Sequence, residues 1–154
     1  MESGKIISIN ISKRKGTRKE NAGEAFCVED YGLKGDAHAG NGIRKVSLLS
    51  AGSIEKMRQK GLSVNAGDFA ENITVDGLNL LSFLIGQKFK AGEAVLELSQ
   101  IGKECHTKCA IYYKVGDCVM PKEGIFAKVI KSGWINVGDK LETIDLSAVG
   151  GKDD

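Results

Sequence analysis

No apolar run in this chain approaches the roughly 18 residues that a membrane span needs. The first ten residues, Met1 to Asn10, lack the apolar centre of a signal peptide and read instead as a strand behind a short polar start. Both absences make the cytoplasm the expected compartment, with no membrane partner. A formal net charge of +2 is too small to point to nucleic acid. Proline occurs once against twenty glycines, and no repeat, linker or low-complexity stretch interrupts the 154 residues. Hydrophobic residues make up 42% and charged residues 27%, a globular balance that excludes disorder. The length fits one domain, read here as residues 1–146 with a flexible tail over 147–154.

So many glycines and so little proline suit short strands joined by tight turns. Lys5 to Ile11 alternates as a strand, placing Ile7, Ile9 and Ile11 on one face and Ser8 and Asn10 on the other. Further strands are expected at Val46 to Leu49, Ile73 to Val75, Lys88 to Phe89, Ala94 to Ser99 and Lys140 to Ile144. Ser53 to Lys60 reads as a helix ended by Gly61. Leu78 to Leu84 is helix or loop, and Ile125 to Lys131 helix or strand. Tyr31 to Gly42 is glycine-punctuated loop, and Gly133 and Gly138 flank a turn region. Regular short strands with little helix favour a mainly β, closed or nearly closed barrel over a parallel α/β fold.

Three segments carry residues suited to chemistry. The first holds Cys105, His106 and Cys109 as Cys-His-x-x-Cys, with Cys118 nine residues later, just beyond the strand ending near Ser99. A thiol works as nucleophile or soft-metal ligand only as thiolate, so cations must lower its pKa. Lys103, His106 and Lys108 stand within three residues of Cys105. If the chain turns helical here, Cys105 and Cys109 share a face at i and i+4, and one would serve as resolving thiol for the other. Structural zinc is a rival use of the same cysteines, with the second ligand pair incomplete. Inert, buried cysteine is the third reading. In a reducing compartment all four, Cys27 included, stay thiols rather than forming two disulfides.

In the second segment, Gly35-Asp36-Ala37-His38-Ala39-Gly40 is followed by Arg44. Glycine on both sides admits a ligand close to the backbone, and arginine is the natural bidentate partner of phosphate. A plain surface turn is the alternative. The third segment, Gly67-Asp68-Phe69-Ala70-Glu71-Asn72, either orients a ligand or closes a turn through its side chains. Five cations between Lys13 and Lys19 form a solvated basic loop or an anion-attracting rim.

Taken in order, these segments resemble the MOSC domain, named for the C-terminal part of molybdenum-cofactor sulfurases. The matching features are Gly32-Leu33-Lys34-Gly35-Asp36-Ala37-His38 and Gly67 to Val75, then the Ile85-Gly86 turn, the Gly92 to Ser99 strand and Cys105. The resemblance as a whole covers about residues 4 to 144, as in a stand-alone MOSC protein. The resemblance implies a closed, complex β-barrel like that of the pyruvate-kinase barrel domain, with a few short helices. It further implies binding of the molybdenum cofactor, a molybdopterin, and a sulfur-carrier or sulfurtransferase-type role. Cys105 would bear a persulfide or ligate molybdenum, and His106 would tune the thiol. Asp36, His38, Arg44, Glu71 and Asn72 would line the pterin and phosphate site. Expected partners are a cysteine desulfurase, which would hold any pyridoxal phosphate, and molybdoenzymes or cofactor-biosynthesis proteins. A non-catalytic cofactor-delivery module is the alternative. Where the family cysteine often follows proline, Glu104 precedes Cys105 here, and its charge would raise the thiol pKa.

Overall fold

A computed structural model describes residues 3–14, 19–37, 39–40, 46–102 and 123–144. Its strands are β1 (Ser3–Ile11), β2 (Glu20–Asn21), β3 (Glu24–Val28), β4 (Gly32–Leu33), β5 (Val46–Ser50), β6 (Ile73–Asp76), β7 (Lys88–Ala91), β8 (Ala94–Ile101), β9 (Ile125–Lys131), β10 (Gly133–Asn136) and β11 (Lys140–Thr143). The helix α1 (Ala51–Gln59) follows β5, and Leu80–Ser82 forms a 3-10 turn. Hydrogen bonding runs β1-β11-β7-β8-β9-β5-β6 and returns to β1, closing a seven-stranded barrel. Closure removes the unpaired edges that an open sheet would present. The pairs are antiparallel except β5–β6, which are parallel because α1 carries the chain back between them.

Helix α1 starts where Ser50, extended at φ −80, accepts the Ser53 amide on its hydroxyl at 3.2 Å. It ends at Lys60, and Gly61 takes up φ +98, a left-handed conformation that suits glycine. Ile54 and Met57 face a small apolar cluster with Leu49, Phe69 and Phe126. The barrel interior is a second and larger cluster, including Ile6, Ile9, Leu48, Ile73, Phe89 and Leu96. Along β8 the expected alternation holds: Ala94, Leu96 and Leu98 are buried, and Val95, Glu97 and Ser99 are half-buried.

The first strand departs from the simple alternation. Register slips between Ile6 and Ser8 where β1 pairs with β6, so one extra residue, Ile7, bulges out and is 39% exposed. Ile6 and Ile9 both enter the barrel, and Ile7, expected inside, does not. Ile125 to Lys131 is strand, and the turn region between Gly133 and Gly138 contains β10. Within the expected Tyr31 loop, Gly32–Leu33 pairs with β3. These pieces form a second, three-stranded sheet, β10-β3-β4, in which the Phe26 and Trp134 rings meet edge-on at 5.4 Å. Cys27 on β3 is fully buried, and burial pushes its thiol up to about 12, which makes it inert.

Candidate functional site

The Asp36 turn is bracketed by the residue that follows β1. Ser12 donates its amide to Asp36 Oδ1 at 3.1 Å, and its carbonyl accepts the Ala37 amide at 2.8 Å. Lys19 closes the bracket: its Nζ lies 2.6 Å from Asp36 Oδ1 and 3.2 Å from Ser12 Oγ. Neither charged side chain has any solvent exposure. The solvated basic loop expected over Lys13 to Lys19 therefore fails at Lys19, which the carboxylate draws inward.

The Gly67 turn packs directly on this bracket. Gly67 has φ +91, and a Cβ there would come within 2.5 Å of the Lys19 carbonyl, so both backbone shape and contact require glycine. Asp68 closes the turn itself, accepting the Asn65 amide at 2.9 Å. Glu71 points inward: Oε2 accepts the Gly67 amide at 2.9 Å and the Thr74 hydroxyl at 2.8 Å. Its Oε1 is buried without a hydrogen-bond partner among the described residues. Asn72 uses its carboxamide fully, accepting the Ser47 amide at 3.0 Å and donating to the Asn10 carbonyl at 3.1 Å. Asn10 in turn donates to the Glu71 carbonyl at 3.1 Å and to Thr74 Oγ1 at 3.2 Å.

The two glycine-flanked segments meet through Lys19, which pairs with Asp36 through its Nζ and presses its carbonyl against Gly67. The Asn72 carboxamide adds to the polar surroundings that favour the Asp36 carboxylate. The carboxyl groups of the two segments nevertheless behave oppositely. Burial alone would raise Asp36, but hydrogen bonds from Lys19 and Ser12, the polar Asn72 side chain and the Lys19 charge outweigh it and hold the carboxyl below its ordinary range. Burial raises Glu71 as well, and there the Gly67 and Thr74 donors, with the nearby Glu71 and Phe69 backbone amides, do not overcome it. Asp36 is thus a carboxylate and Glu71 is biased towards the neutral acid.

Of the seven residues expected at the site, the structure brings together Asp36, Glu71 and Asn72; His38, Arg44, Cys105 and His106 lie outside the described residues. So do Cys109 and Cys118, on which the zinc reading depends. Among the described residues no group of three or more His, Cys, Asp or Glu side chains could hold a metal ion. Lys19, Ser12, Asn10, Ser47 and Thr74 complete the cluster and were not expected there. The alternation of β1 did place Ser8 and Asn10 together on a polar face, which was the available signal.

The chain leaves towards Cys105 at Gly102, whose amide bonds the Gly124 carbonyl at 2.7 Å on its return. Along the barrel wall Ile101 pairs with Ile125, Ile125 with Leu48, and Leu48 with Ile73. The departure point therefore shares a rung with Ile73, the residue after Asn72. Three strand spacings separate them, about 14 Å. Glu123 pins the returning chain to α1, accepting the Ser53 hydroxyl at 2.5 Å and pairing with Lys56 at 2.7 Å. These groups line a cavity of about 240 Å³ with Ser50, Asn79 and Leu80.

The MOSC domain family matches residues 34–142. Over 169 aligned residues the chain is 27% identical to the uncharacterized protein YflK of Bacillus subtilis, covering 94% of this chain and 75% of that one. The fold is similar to the crystal structure of YuaD from B. subtilis, with TM-score 0.75 and 18% identity over 92% of this chain and 95% of that chain. YiiM from Geobacillus stearothermophilus is also similar, with TM-score 0.68 and 21% identity over 92% and 75% of the two chains.

Proposed function

Because the chain belongs to the MOSC domain family, we propose that it binds the molybdenum cofactor and carries sulfur for it on Cys105. The observation that supports this most is the meeting of the Asp36 and Gly67–Asn72 turns in one buried joint, beside Ile73, which ends the rung from whose other end the chain departs for Cys105. In this reading Asp36, Glu71 and Asn72 shape the two turns that flank the cofactor. The donor set fits a phosphate-bearing pterin in a divided way. Lys19, the buried cation of the joint, is already neutralised by Asp36, so phosphate recognition is assigned to Arg44 and His38. Glu71 Oε1 leaves hydrogen-bonding capacity for a polar ring edge. When bound, the cofactor supplies a soft metal centre that accepts sulfur or a thiolate ligand.

The protein's own step is a thiol exchange. The Cys105 thiolate attacks the terminal sulfur of a persulfide on a separate cysteine desulfurase. A new S–S bond forms at Cys105, the donor's S–S bond breaks, and its electron pair leaves with the donor cysteine as thiolate. His106 holds or returns the proton of Cys105. We place the chain in the cytoplasm, whose reducing thiol pool keeps Cys105 available as a thiol. No helix among the described residues is long and apolar enough to cross a membrane.

Persulfide loading from a cysteine desulfurase, followed by mass spectrometry, tests the reading. Cys105→Ala should abolish the added 32 Da of sulfur (about one sulfur atom). Loading that survives in Cys105→Ala and vanishes in Cys109→Ala overturns the assignment. Molybdopterin binding that persists in Cys105→Ala, with no loading in the wild type, would instead favour a delivery module.

A further inference from the structure

Lys19 and Asp36 form an ion pair in which both side chains are 0% exposed; Lys56–Glu123 and Arg58–Glu55 both keep contact with solvent. Stability is a poor reason for such a pair, because apolar residues of similar volume usually do as well or better in its place. Direction is what it offers. Lys19 Nζ reaches Asp36 and Ser12 together, and Ser12 grips the turn through its amide and carbonyl. The turn continues with Ala39 donating to the Asp36 carbonyl at 3.2 Å. At the other end of the same residue, the Lys19 carbonyl sits where Gly67 leaves no room for a Cβ.

We infer that Lys19 is a positioning residue: its buried pair with Asp36 fixes the Leu33–Ala37 turn against the Gly67–Asn72 turn and so sets the geometry of the cofactor site. The consequence for ligand binding rests on the function proposed above, whereas the consequence for the turn does not.

The test is the Lys19→Met/Asp36→Leu double variant of the full chain, which replaces the pair with apolar groups. Its melting temperature should fall by less than that of Lys19→Met alone, the remaining loss being the cost of the Ser12 amide that Asp36 no longer accepts. Amide hydrogen exchange at Ala37 and Ala39 should become about 10-fold faster, with barrel amides such as Leu96 and Val129 unchanged. Molybdopterin should bind about 10-fold more weakly. Should the double variant not fold, Asp36→Asn keeps an acceptor for Ser12 while removing the charge, and the same exchange criterion applies. Wild-type exchange at Ala37 and Ala39 in either folded variant overturns the inference. Faster exchange with unaltered molybdopterin affinity overturns the role in the site. If the wild type itself does not take up molybdopterin, the cofactor reading falls, and the exchange data still decide what Lys19 does.

Discussion

Ile9 and Asn10 are neighbours on β1, both with no solvent exposure, and they belong to regions governed by different terms. Ile9 enters the barrel among Ile6, Leu48 and Ile73, where the stabilising quantity is apolar area removed from water. Such a core tolerates exchange of one apolar shape for another of equal volume. Asn10 enters the joint with Ser8, Thr74, Glu71 and Asn72, where burial is unfavourable unless each donor and acceptor is met. The barrel therefore needs volume, and the joint needs particular atoms at particular distances. A scaffold of the first kind can present a site of the second.

The sharpest way to break this contrast is to remove one charge of the buried pair. Lys19→Met leaves the buried Asp36 carboxylate without the Lys19 counter-charge and should lower stability by about 3–5 kcal/mol, measured by urea unfolding. A loss under about 1 kcal/mol would mean that Asp36 finds water or another cation. Leu48→Ala in the barrel should cost about 3 kcal/mol through lost burial and the cavity left behind. Leu48→Met should cost less than about 1.5 kcal/mol, and that tolerance is the signature the joint must lack. Gly67→Ala comes next, at about 2 kcal/mol, since it adds a methyl against the Lys19 carbonyl in a left-handed backbone. A Gly67→Ala variant with wild-type stability would show that the two turns are not pressed together.

The barrel was more legible in the sequence than the joint was. Strands such as Ala94–Ile101 announce themselves because one face is wet and one dry, and period-two alternation records that. Alternation misled at Ile7, where a bulge shifts the phase, since a bulge is a pairing event between strands distant in sequence. Gly133–Asn136 was hidden because a glycine start and an exposed Trp134 look like a turn until β3 pairs with it. Asp36, Glu71 and Asn72 stood out as polar residues among glycines. Their partners did not, because Ser8, Asn10 and Thr74 have the pattern of an ordinary solvent face. Lys19 sat in a run of cations, where exposure is the usual fate, and only the fold brings Asp36 to it. The link to the molybdenum cofactor came from family resemblance, and nothing in periodicity or spacing contains it.

The smallest expected effects separate the two carboxyl groups by pH. Asp36 is held below its ordinary range, so its contribution is present above the unfolded value of about 3.9 and is lost as pH falls through the folded value. Glu71 is shifted the other way. Above about pH 4.3 the unfolded chain releases the Glu71 proton while the folded chain keeps it, so stability falls with rising pH until the folded value is passed. Glu71→Gln removes that slope: its carbonyl can still accept from Gly67 and Thr74, and its amide takes the place of the bare Oε1. Any cost of an unmet amide proton is the same at every pH and cannot imitate the effect. Urea unfolding from pH 4 to 8 should therefore show Glu71→Gln gaining on the wild type as pH rises. Parallel curves would mean that the Glu71 charge is met in the folded state, and the joint would then have no weak member.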